Sequence, residues 1–222
     1  MLTDTDRTRV AQAVTAAEAN TAGEIVTIVT PRSDSYRDIA LIWAVFVAFL
    51  ALAALELAPH FYLALIDAAL GLWAHDWSPR AVFGVALIVA LVKFLSMLAL
   101  QAWSPLRLFL TPPPVKAARV HARALTCFRI GAESRTTGHT GILIYVSLAE
   151  HRAEIIADSA IAERVMPEVW GEAMHALLGH LREDRLADGM VAAVEQVGRV
   201  LAEHFPRAAN DVNELPDRLI EV

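Results

Sequence analysis

Few side chains in this sequence combine the type and spacing that chemistry needs. His175 and His180 are the closest pair among eight histidines. Five residues apart, they point about 140° from each other on a helix, so they are not an i,i+4 zinc pair, and no HExxH occurs. Cys127 is the single cysteine, which excludes an intrachain disulfide and a thiolate cluster; it reads as a small buried thiol. The "GHTG" run from Gly138 to Gly141 lacks the Lys and glycine spacing of a phosphate loop and reads as a turn into a strand. Carboxylates remain. Asp184 and Asp188, in "REDRLADG", would join Glu24 or Asp158 if the strand ends converge, and such a cluster could hold Ca²⁺ or Mg²⁺ through oxygen ligands. Each has a structural alternative: Asp188 precedes "GMVAAVEQV" as a helix N-cap would, and Glu24 could pair with Arg152 across a sheet. No catalytic residue can be assigned, because a triad is defined by geometry and not by spacing. No cofactor beyond a Ca²⁺ or Mg²⁺ ion is expected.

The elements that must position these residues are of two kinds. The chain is 56% hydrophobic and 20% charged, with mean hydropathy +0.44. Two very apolar windows lie between segments of ordinary polarity. Ile39 to Ala58 is about 20 residues, or ~30 Å as a helix, the thickness of a bilayer core, and Ala81 to Trp103 is a second such span. Trp43, Trp73, Trp77 and Trp103 fall at or near the span ends, where indoles favour the membrane interface. Lys93 lies inside the second span; snorkelling to the interface, a helix or headgroup contact, and transport are its three readings. Between the spans, "FYLALIDAALGLW" is too short to cross again and has one apolar face, as a helix lying in the interface would. Arg7, Arg9, Arg32 and Arg37 precede the first span, and Arg107, Lys116, Arg119 and Arg123 follow the second, while the connector carries only Arg80. The positive-inside rule puts both termini in the cytoplasm. No signal peptide is expected at the N-terminus. The formal net charge of −6 argues against a nucleic-acid partner.

The flanks read as soluble structure. Thr3 and Asp6 stand in capping-box spacing, predicting a helix from near Asp4. "EIVTIVT" predicts a strand buried on both faces. A helix is expected after "TPPP". Then Ile142 to Val146 and Arg152 to Ala157 predict two strands joined by a tight turn, followed by two amphipathic helices. The tail from Pro206 is polar and expected to fray.

Taken together, "GEIVTIV … TGILIYVSLAEHRAEIIADS … ADGMVAAVEQVGRVL" resembles the TPM domain family, domains of the photosystem II repair and levamisole-receptor-modulator type. Glu24 matches the acid opening the family's first strand, Gly141 the glycine before the central strand, Arg152 the arginine after the hairpin turn, and Gly189 the late glycine. The resemblance implies an α/β fold: a TPM-like α/β/α sandwich with a small central sheet, here interrupted by a two-helix transmembrane hairpin. The expected organisation is 1–36 and 111–205 forming that domain, 37–110 the hairpin with its outer interfacial helix, and 206–222 the polar tail. Family members often carry an acidic pair at the strand hairpin and a Gly-rich turn later. Here Ala149-Glu150-His151 and "DSAIAE" stand in those places. The expectation is therefore a multi-pass protein of a bacterial inner membrane. Its cytoplasmic domain would be a membrane-tethered interaction or assembly module for an unknown protein partner, in contact with the lipid bilayer. The alternative is a TPM-type acid phosphatase or divalent-cation-binding domain.

Overall fold

A computed structural model of the protein describes residues 2–71, 76–131, 138–207 and 214–222. The chain divides into two units, Met1–Asp34 with Pro113–Val222, and Ser35–Pro112.

The first unit is an α/β sandwich. Helix α1 (Asp4–Glu18) starts at a capping box: Thr3 Oγ1 accepts from Asp6 N at 3.2 Å, and Asp6 Oδ2 accepts from Thr3 N at 3.0 Å. Such a cap contributes ~1 kcal/mol. Strand β1 (Glu24–Thr30) follows, and all of its residues are buried. It pairs in parallel with β2 (Gly141–Ser147), with Ile25 opposite Ile142 and Val29 opposite Val146. Strand β3 (Arg152–Ala157) returns antiparallel to β2 through a turn in which His151 takes a left-handed φ of 49°. The sheet is therefore built from chain on both sides of the second unit.

Both faces of the sheet are covered, which is why β1 and β2 show no polar alternation. Ile25, Val29, Ile142, Ile144 and Val146 face a core closed by α1, α8 (Gly171–Arg182) and α9 (Leu186–His204). Val26, Ile28, Leu143 and Tyr145 face α6 (Pro113–Gly131) through Val120, Ala124 and Phe128. The short α7 (Ser159–Ala162) and a 3₁₀ turn at Pro167–Trp170 link β3 to α8. Glycine at 198 permits close approach of α9 to α1: a Cβ there would lie 2.6 Å from Ala17 Cβ.

The expected frayed tail is overturned for residues 214–222. Leu215 and Leu219 are buried, and Ile220–Glu221 forms β4, parallel to β1 at Ile28 and Val29. The strand order is β3-β2-β1-β4. Two residues of strand carry too little pattern to be read from sequence, and their stability comes from the edge they join.

In the second unit, α2 (Arg37–Leu57) and α4 (Pro79–Gln101) are long and apolar enough to cross a membrane. Their most apolar windows are only 17% and 0% buried, unlike the core helices of a soluble protein. Gln101 is buried between them and donates from Nε2 to Ala40 O at 3.1 Å. Helix α3 (Pro59–Leu70) lies between the two and ends at Gly71, whose φ of 69° suits a C-terminal glycine. Helix α5 (Ser104–Leu110) closes the unit.

Candidate functional site

The four candidate ligand carboxylates do not converge. β1 and β2 begin at the same edge of the sheet and β3 ends there, so Glu24 and Asp158 share that edge. Asp184 and Asp188 line a pocket with Val29, Pro31 and Leu148 at the other edge. The length of β1 separates the two pairs by roughly 20 Å. The reason is topological: the α8–α9 turn lies at the ends of the parallel strands opposite to their beginnings. Glu24 cannot meet Arg152 for the same reason, because Arg152 stands opposite Ser147. Among the described residues no group of three or more His, Cys, Asp or Glu side chains has metal-holding geometry.

Each of the four has structural work. Glu24 is buried and accepts from Glu214 N and Leu215 N, both at 3.2 Å, which secures the segment leading into β4. Asp158 caps α7, accepting from Ser159 N at 2.6 Å, and its other oxygen lies 3.5 Å from His139 Nδ1. Asp184 takes a left-handed φ of 57° in the turn between α8 and α9, a conformation Asp tolerates better than most residues. Asp188 is not an N-cap, because α9 begins at Leu186 and Asp188 falls in its first turn. There it complements the helix dipole and pairs with Arg9 at 2.7 Å.

The pocket at the second edge has a volume of about 420 Å³. Leu2, Val29, Pro31, Leu148 and Leu186 give it an apolar floor; Asp6, Arg9, Asp184, Arg185 and Asp188 form its rim. Four of these rim charges pair with one another: Arg9 with Asp188 and, at 3.9 Å, with Asp6, and Arg185 with Asp188 at 3.6 Å; Arg185 also pairs with Glu183 outside the pocket. Hydrogen bonds from Thr3 hold the Asp6 carboxyl below its ordinary pKa, and the bond from Arg9 does the same for Asp188. Asp6 and Asp188 are therefore ionised at neutral pH and already partnered. Among the described residues lining it there is no nucleophile paired with a base.

Beside this edge lies a hydroxyl–carboxyl network that sequence reasoning missed. Ser33, three residues past β1, has its Oγ 2.9 Å from Tyr145 Oη and donates to Ser147 Oγ at 2.8 Å. Ser147 Oγ donates to Glu150 at 2.5 Å, and the other Glu150 oxygen accepts from Ser33 N at 3.1 Å. Glu150 is the acid at the β2–β3 turn, and here it fastens the residues leaving β1. Close by, Arg119 pairs with Asp34 at 3.2 Å, and Arg152 reaches Pro113 O at 3.4 Å. Both points where the chain leaves and rejoins the α/β unit are thus held. Ser33 lies more than 110 positions from Tyr145 and Ser147 in the chain, so no local pattern pointed to this network.

A second missed cluster lies at the first edge. Glu18, at the end of α1, is buried and accepts from Ile25 N at 2.7 Å. Burial, with the nearby charges of Glu24 and Asp217 adding to it, pushes its pKa up to about 8. Asp217 also accepts from Thr15 Oγ1 at 2.5 Å. Burial likewise raises the half-buried Cys127 thiol above its ordinary pKa, so it is not a ready thiolate.

Of the candidate membrane residues, Trp43 donates from Nε1 to Leu110 O at 3.1 Å, and Trp77 donates to Asp67 at 3.2 Å. Trp103 precedes α5 and is exposed. Trp73 lies outside the described residues. Lys93 faces outward from α4, with no ion-pair partner among the described residues.

Searched against protein-family models and against curated proteins, the chain finds no match. Among solved structures it is similar to the NMR structure of BA42 protein from the psychrophilic bacterium Bizionia argentinensis, at 17% identity and a TM-score of 0.57. The match covers 100% of this chain and 96% of that one. At this identity the likeness concerns fold alone, a mixed α/β sandwich with a small four-stranded sheet.

Proposed function

We propose that this is a member of the TPM domain family and a multi-pass protein of a bacterial inner membrane, with both termini in the cytoplasm. Its α/β domain serves as a membrane-tethered interaction or assembly module. One observation carries the reading: the central pairing of the sheet joins residues before the apolar hairpin to residues after it, Ile25 to Ile142 through Val29 to Val146. A domain interrupted in this way is fastened to the bilayer at two points of its chain, a geometry suited to holding a binding surface near the membrane. The acids that a phosphatase or cation site would need at one place lie at opposite edges: Asp158 caps α7, Asp188 pairs with Arg9, and Glu24 accepts from the backbone of Glu214 and Leu215.

A reporter fused after Val222 is expected to read cytoplasm, and one inserted beside Asp76 the outside. A C-terminus on the outer side would overturn the topology. The full chain, assayed on a phosphomonoester with and without Mg²⁺ or Ca²⁺, is expected to show no turnover above background. Cation-dependent phosphate release lost in Asp158→Ala or Asp188→Ala would refute the module reading in favour of an enzyme.

A further inference from the structure

Helix α6 differs from every other part of the α/β unit in charge. Its sequence, "PPVKAARVHARALTCFRIG", holds Lys116, Arg119, Arg123 and Arg129 and not one acid, in a chain whose net charge is −6. The distribution is one-sided. Val120, Ala124 and Phe128 point into the core, while Lys116, Arg119 and Arg123, at i, i+3 and i+7, share an arc of about 60° on the outer half. Arg119 and Arg123 are exposed and Lys116 is half-buried. Among the described residues neither Lys116 nor Arg123 has an ion-pair partner, and Arg119, paired with Asp34, keeps nearly half of its side chain exposed. His121, on the inner flank, is turned to Glu154 on β3 at 3.2 Å. Core packing explains none of the three cations, and an outer face evolved for solubility alone would carry both signs.

The place of α6 in the chain supplies the partner. It begins at Pro113, the first residue after the apolar unit. Arg37 opens α2 and Arg107 lies in the last turn of α5, so cations flank both chain crossings. We propose that the outer face of α6 is a docking surface for anionic phospholipid headgroups of the bilayer that α2 and α4 span; this rests on the membrane reading above. Lys116, Arg119 and Arg123 are the contacts, and they set how closely the α/β domain is held to the lipid surface. Each Lys or Arg close to an anionic leaflet favours the bound state about fivefold, so three favour it by ~100-fold, and salt screens the effect.

The test uses the full chain in nanodiscs. Cys127→Ser removes the single cysteine, and Ala122→Cys puts a thiol on the exposed face of α6, one turn from Arg119. Modification by a bulky maleimide is expected to be at least tenfold slower in phosphatidylglycerol discs than in phosphatidylcholine discs. High salt, or Lys116→Gln with Arg123→Gln, should abolish the difference; this pair of changes leaves the Arg119–Asp34 bridge intact and so keeps the fold. Equal rates in both lipids, or a difference that persists in the double variant, would overturn the proposal. Resistance to carbonate extraction, measured on the same protein, reports the hairpin separately. If it fails, the membrane reading fails; if it holds and the rates are equal, only the docking surface does.

Discussion

Replacing Glu18 by Gln should remove a pH dependence that the fold builds into the end of α1. In the folded chain Glu18 binds its proton up to about pH 8, whereas an unfolded glutamate releases it near 4.5. Between those values the native state holds a proton that the unfolded state lacks. Stability from this group is thus fully present at low pH and declines as pH rises to about 8. The full linkage over that window is about 5 kcal/mol, at ~1.4 kcal/mol per unit. Glu18 lines a small pocket, and solvent screening there reduces the effect, so ~2 kcal/mol between about pH 5.5 and about pH 8.5 is the expected loss. The physical cause is local: ionised Glu18 would face Glu24 and Asp217, with Arg207 the cation lining the same small pocket. In Glu18→Gln the amide oxygen can still accept from Ile25 N, and the amide N–H₂ can donate toward Asp217. Thermal unfolding of the full chain in detergent is the assay. The wild type should lose ~5–8 °C in Tm across that range through this group, and the variant should be flatter by the same amount. If the two profiles run parallel, Glu18 is not the titrating group and the reasoning fails.

Two further outcomes test the packing around the candidate site. Glu150→Ala strands Ser33 N and Ser147 Oγ without their acceptor, and the expected cost is ~2–4 kcal/mol, with Glu150→Gln losing less because one oxygen remains; equal losses in chemical denaturation would contradict the network. Gly198→Val must push α9 off Ala17, at an expected cost of ~2–3 kcal/mol, and adding Ala17→Gly should recover much of it; a double variant as unstable as the single one would locate the clash elsewhere.

The sequence by itself determined what depends on neighbours along the chain. Thr3 and Asp6 specify their own cap because both partners lie within one helical turn. The apolar spans were legible because length and hydropathy are additive along a helix, and the β-branched run of β1 was legible because burial on both faces removes alternation. The split sheet could be expected from the two halves of the resemblance, but its register, Ile25 to Ile142, is a property of the assembled fold. Tertiary structure alone decided the rest. Glu24 and Asp158 lie at one edge and Asp184 and Asp188 at the other because β1 and β2 run parallel and the α8–α9 turn falls at their far ends; spacing cannot encode strand direction. The same holds for Ser33 meeting Ser147 and Glu150, for Glu18 meeting Asp217, and for β4, whose two residues are a strand only because β1 offers them an edge. In each case the deciding contact spans more than a hundred residues. Such contacts form only when burial of the apolar faces has already fixed where the elements lie.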